Sequence, residues 1–143
     1  MTNDQIDHNK KIVDSFIQEL FTAGDLGAVD RYLAPGFVDH DPPIPGAPDG
    51  AEGLRRVAAM FRAALPDWHS VPDQMVGEGD IVVERFVARG AHRGELMGVA
   101  PTGKAIVLAG INVFRLEGDM IVERWGRLDE LGLLRQLGLA PPA

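Results

Sequence analysis

The chain reads as an α+β protein in which helices pack on one face of a curved antiparallel sheet around a one-ended pocket. Three observations predict this. Apolar residues recur at helical spacing between residues 5 and 65. Alternating runs broken by short Gly/Asp turns then fill residues 68–128. A Leu-rich helical run after Asp129 closes the chain. Helices first and a strand meander second is the order of an α+β layer architecture.

The first helix is predicted over Gln5–Ala23, with Ile6, Ile12, Val13, Phe16, Ile17, Leu20 and Phe21 forming one apolar stripe. Gly24-Asp25 stops it, and Asp25 is placed to cap a short second helix through Leu33. Pro35-Gly36 breaks that helix before a short strand, Phe37–Asp41. A loop rich in proline and glycine, Pro42–Gly50, lies where it can cover a cavity mouth. Ala51–Leu65 returns to helical spacing and ends at Pro66. Strands are predicted at Trp68–Val76, at Ile81–Arg89 with a continuation toward Glu95, at Lys104–Leu116 and at Met120–Leu128. Gly90, Gly94 and Gly110 fall within these runs, where bulges or bends would curl the sheet. Asp129 can cap the closing helix to Leu137.

At 143 residues the sequence predicts one domain over 1–143, large enough for a core without staples. It is 45% hydrophobic and 24% charged, which excludes a disordered tail. The absence of cysteine excludes disulfides and thiolate chemistry. A formal net charge of −7 opposes a nucleic-acid partner, whose phosphates call for Lys and Arg. A polar first segment and the lack of a long apolar run predict a cytoplasmic protein with no membrane partner. The four histidines are scattered, so no metal is expected. No HExxH, P-loop, GxSxG elbow or EF-hand loop occurs.

Two stretches carry a family resemblance: Gly90–Lys104 (GAHRGELMGVAPTGK), and IVERW at Ile121–Trp125 with LRQLG at Leu134–Gly138. With the element order, they make the chain resemble the SnoaL-like polyketide cyclase and ester cyclase family of the NTF2-like cone fold. The resemblance implies a pocket for a small hydrophobic or carbonyl-containing ligand, catalysis without cofactors, and a homodimer through the outer sheet face. It also places the family's acid/base aspartate at Gly126 and a pocket histidine at Asn112, two departures from the pattern. A glycine cannot move a proton.

Any catalytic group must then come from elsewhere. His40 and Asp41, in the densest titratable cluster, are candidates for acid/base work. Asp129 is a displaced base or a helix cap. Arg124 shares a strand face with Gly126 and would bind a carboxylate or enolate, or else pair with an acid such as Glu84. Asn112 and Phe114 share the pocket-facing parity, one to orient a carbonyl, the other to meet a flat ligand. Trp125 and His92 belong to the family-like motifs and complete the ligand-binding set. Alternation turns Trp125 to the face opposite Arg124, and His92 can instead order the bend it sits in.

The reading that follows is proton-transfer chemistry of polyketide cyclase type on a small or polycyclic carbonyl compound. Two rivals remain: a non-catalytic small-molecule binder that kept the cavity, and epoxide hydrolysis by Asp41, Arg124 and Asp129 around a water.

Overall fold

The computed structural model describes residues 2–44 and 46–142. Helix α1 (Asn3–Ile17) opens on a capping box: Thr2 Oγ1 accepts from the Gln5 N–H while Gln5 Oε1 accepts from the Thr2 N–H. It continues through one π-helical turn, Gln18–Thr22, and stops at Gly24, whose φ of 71° only glycine adopts cheaply. The turn is tied to the sheet, with Gln18 Nε2 donating to the Ser70 carbonyl and the Ser70 N–H donating to Thr22 Oγ1. Helices α2 (Ala28–Tyr32) and α3 (Gly50–Ala64) follow the predicted order, with strand β1 (Leu33–Asp39) between them.

Strands β2 (His69–Glu78), β3 (Ile81–Ala91), β4 (Ala105–Glu117) and β5 (Met120–Leu128) form an antiparallel meander, closed by α4 (Glu130–Gln136). The sheet order is β1-β5-β4-β3-β2. This is the expected cone, with corrections. The sheet is mixed, because β1 joins β5 in parallel. It also starts at Leu33 rather than Phe37. Leu33 pairs with Ile121, the register slips around Pro35-Gly36, and pairing resumes at Val38 and Asp39. An edge strand tolerates a proline that a central strand would not.

The glycines expected to bend the sheet act differently. The register shifts fall between Pro72 and Gln74 and between Arg115 and Leu116, not at Gly90, Gly94 or Gly110. Gly110 instead permits close approach: a Cβ there would lie 2.7 Å from Leu128 and 2.8 Å from the Phe86 ring. Gly94 lies beyond β3, where its N–H donates to the Ala64 carbonyl.

Two apolar clusters fill the cone. Val13, Phe16 and Ile17 of α1 and Leu20 of the π-helical turn meet Val82, Phe114 and Ile121 of the sheet. Phe61 and Leu65 at the end of α3 meet Trp68, Phe86, Leu108 and Leu133. Phe16 and Phe114 are fully buried and pack edge to face with centroids 6.2 Å apart. Burying each such ring stabilises the fold by roughly 1.5–3 kcal/mol. Among the described residues no helix is long and apolar enough to cross a membrane.

Candidate active site

An apolar cavity of about 60 Å³ lies between the two clusters. Phe16, Phe61, Trp68, Phe86 and Phe114 wall it, and Ser70, Asn112 and Arg124 supply its polar groups. A wider polar vestibule of about 430 Å³ adjoins it, lined by His40, Asp41, Gly126, Arg127 and Glu130. Pro43, Arg124 and Leu128 line both chambers, so Arg124 stands at their junction. Pro43 brings the predicted covering loop to the mouth. Pro45, in the same loop, lies outside the described residues.

The sheet register explains why an arginine can sit there. Glu84, Asn112 and Gly126 face one another across β3, β4 and β5 in a single row. Arg124 is one inward step along, paired with Phe114 on one side and Asp39 on the other. Its guanidinium crosses the space above Gly126, where an added Cβ would overlap Nη2. Position 126 is therefore not a vacancy. The neighbouring arginine fills it, and only a residue without Cβ allows that.

Arg124 is 4% exposed and firmly held. Nε donates to Asn112 Oδ1 at 3.0 Å. Nη1 donates to Asp39 Oδ1 at 2.9 Å and to the Asp41 carbonyl at 2.9 Å. Nη2 has no hydrogen-bond partner among the described residues, which leaves two N–H donors at the junction of the chambers. Asn112 in turn donates from Nδ2 to Glu84 Oε1 at 3.0 Å. A continuous chain thus runs Asp39–Arg124–Asn112–Glu84.

Glu84 is fully buried, and its Oε2 has no partner among the described residues. Burial first, then the nearby Asp14 carboxylate, push its carboxyl up from 4.5 to about 7, against the lowering effect of Asn112 and Arg124. Asp41 is driven the other way. The Gly126 N–H donates to Asp41 Oδ2 at 2.9 Å and Arg127 Nη1 lies 2.8 Å from the same oxygen, holding this acid below its usual range.

His40 borders the vestibule, but its ring stacks on Trp125 with centroids 4.7 Å apart and its Nε2 is 3.3 Å from Glu123 Oε1, on the sheet face opposite Arg124. Glu123 is itself held low by Arg115. Trp125 thus contacts His40 but lines neither chamber. Asp129 is spent as the cap of α4, its Oδ1 accepting from the Gly132 N–H at 3.0 Å, and it too lines neither chamber. His92 is fully buried beside Thr102, with Nδ1 3.1 Å from Thr102 Oγ1, and it orders the loop between β3 and β4. Of the predicted set, Arg124, Asn112 and Phe114 converge on the cavity, and His40 and Asp41 on the vestibule.

Two residues of the network were not predicted as site residues: Asp39, the acid that pairs with Arg124, and Glu84, weighed only as a direct ionic partner. Asp39 shares the inward parity of Asp41. Glu84 is the lone charge in the inward-facing series Val82-Glu84-Phe86-Ala88 of β3.

This architecture, a helix-filled cone with its polar groups at the mouth end, defines a class of small pocket proteins. The model of the SnoaL-like polyketide cyclase family matches residues 11–137, and the chain belongs to that family. Among solved structures it is similar to IdmH, a candidate polyketide cyclase from Streptomyces antibioticus, at 34% identity and a TM-score of 0.77, covering 91% of this chain and 98% of that one. TsrD from Streptomyces laurentii is 27% identical with a TM-score of 0.80, over 94% and 97% of the two chains. AclR, a candidate hydroxylase from Streptomyces galilaeus, is 22% identical with a TM-score of 0.84, over 96% and 89%, a likeness of fold alone. No curated protein matches the chain.

Proposed function

We propose that this protein is a cofactor-independent enzyme that performs polyketide cyclase-type proton transfer on a small carbonyl compound. The observation that carries this reading is the pair of unpartnered Arg124 Nη2 donors between an apolar and a polar chamber. A carbonyl oxygen there would gain charge as its α-carbon loses a proton. A fixed guanidinium in a water-poor site stabilises that charge far better than water does.

His40 is the base in this reading, its ring turning from Trp125 and Glu123 into the vestibule to act. It takes the α-proton, the enolate carbon attacks a second carbonyl of the same substrate, and protonated His40 returns the proton to the new alkoxide. Asp41, held as an anion by Gly126 and Arg127, orients groups in the vestibule rather than accepting protons. Asn112 has one Nδ2 hydrogen beyond the one given to Glu84 and can share the oxyanion. The inner cavity is smaller than the ~150 Å³ that accommodates benzene, so it takes a short alkyl end, with the polar bulk of the substrate outside.

The remaining expectations belong to the same proposal: one domain over 1–143, cytoplasmic, and a homodimer through the outer sheet face. Val71, Val76 and Ile111 lie exposed on that face, and sedimentation tests the association.

Deuterium exchange at the α-carbons of methyl ketones such as 2-butanone, followed by NMR, tests the chemistry. The wild type accelerates exchange over buffer. His40→Ala loses about 10²–10⁴-fold of that rate, and Arg124→Gln about 10²–10³-fold. A second reading, a ligand binder without catalysis, is favoured by one observation: among the described residues no acid lines the inner cavity. Binding of the ketone with exchange no faster than in buffer would establish that reading instead.

A further inference from the structure

We propose that Glu84 is a positioning residue that acts through Asn112 on Arg124, so that the proton it carries sets how much positive charge Nη2 presents to a bound oxyanion. This rests on the reading of Arg124 as the oxyanion donor.

The geometry is a single line of hydrogen bonds. Glu84 Oε1 accepts from Asn112 Nδ2, and Asn112 Oδ1 accepts from Arg124 Nε, both at 3.0 Å. Asn112 can face either way as a free amide. Here the carboxylate on one side and the guanidinium on the other leave one orientation that satisfies both. That orientation fixes Nε, and the Asp39 ion pair fixes Nη1, so Nη2 is aimed by elimination. A buried acid is an expensive way to orient an amide unless its charge is also used.

The charges around Glu84 show what that use is. Asp14 faces it from α1, Arg124 bears on it from β5 beyond Asn112 of β4, and its β2 partner Met75 carries no charge. With Glu84 protonated, Arg124 and Asp39 cancel and the buried cluster is neutral. With Glu84 ionised, the cluster is an anion and repels a second one. The carboxyl crosses between these states near neutrality because burial and Asp14 raise it. Among the described residues the Oε2 atom lacks a partner, and Asp14 Oδ1 on the facing helix lacks one too. Both are acceptors when ionised, so a proton in this neighbourhood relieves a shared deficit. Because binding and protonation are linked, an anion at Nη2 raises the proton affinity of Glu84, and its departure releases the proton.

The test reads the arginine directly. The Nε–H resonance of Arg124, assigned by its loss in Arg124→Lys, is followed by ¹⁵N NMR from pH 5 to 9. It should shift with a midpoint near neutrality in the wild type. The midpoint should vanish in Glu84→Gln, which keeps the shape and an acceptor for Asn112. In Asn112→Ala the arginine should no longer report it. A wild-type resonance without that midpoint, or the same midpoint in Glu84→Gln, overturns the proposal.

A second arm uses 2,4-dinitrophenolate, an oxyanion already ionised throughout this range. Its affinity for the wild type should fall about three- to tenfold as Glu84 ionises. In Glu84→Gln it should stay flat, and an equal fall there also overturns the proposal. If Arg124→Gln binds the phenolate as well as the wild type, the oxyanion reading of Arg124 fails. The resonance arm still decides Glu84.

Discussion

Two arginine–aspartate pairs join the end of β5 to the segment around the end of β1, and they could hardly differ more. Arg124 and Asp39 leave 5% and 3% of their side chains exposed, whereas Arg127 and Asp41 leave 80% and 30%. The N–O distances are nearly equal, at 2.9 and 2.8 Å. What separates the pairs is the medium. The inner pair has given up water, so each charge depends on its partner and on the amide and carbonyl groups around it. The outer pair is bathed by solvent and screened by salt. Distance alone is a poor guide to which contact matters.

The comparison breaks most visibly at Arg124. Arg124→Met leaves Asp39 buried and unpaired, and should cost about 3–5 kcal/mol of stability by chemical denaturation. Asp39→Ala should lose a similar amount from the other side.

Next comes Glu84, a buried acid with no counterion in direct contact. Its carboxyl is raised on folding, so between the unfolded value of 4.5 and about 7 the native state holds more proton than the unfolded chain. Stability therefore falls as pH rises through that window and levels off above it. A rise from 4.5 to about 7 corresponds to at most about 3 kcal/mol. Glu84→Gln should thus melt higher than the wild type at pH 8, with the gain shrinking toward pH 5. An unchanged difference across this range would break the assignment.

A smaller effect is expected at Gly126. Gly126→Ala pushes a Cβ into the guanidinium and should cost about 1–3 kcal/mol. Combined with Arg124→Ala the same change should cost almost nothing, because the overlap is gone. A double-mutant cycle that shows additivity would contradict the packing described here. Smallest of all, Arg127→Ala should leave the melting temperature unmoved at physiological salt, since its partner Asp41 keeps the Gly126 N–H.

The sequence made the fold legible because its signals are local and redundant. Phe16, Ile17 and Leu20 share one face by spacing alone, and the β2–β3 and β4–β5 hairpins follow from Gly/Asp turns and alternation. The parallel docking of β1 was not legible, since nothing within Leu33–Asp39 says which strand end it will meet. At the site, alternation counted from the pocket position that the resemblance implies at 126 placed Arg124, Asn112 and Phe114 toward the cavity, which they line. It could not reveal that Arg124 selects Asp39 rather than Glu84, because that choice depends on β1 lying beside β5. Asp129 had two physically reasonable readings, and the structure shows it engaged as a cap. Glu84 was visible as a charge on an inward face. Its importance depends on the depth of burial, which one strand in isolation does not disclose.

The guanidinium lying over Gly126 also constrains how this lineage could change its chemistry. Replacing Gly126 by an aspartate is hindered while Arg124 is present, because a Cβ at 126 would overlap the guanidinium. The shorter residue at 124 must come first, and that intermediate leaves Asp39 stranded without a counterion. An aspartate-bearing site at 126 is therefore reached without a stranded charge only if Asp39 is changed along with Arg124. Residues 39, 124 and 126 thus form one coupled set, in which the order of substitution matters as much as the number.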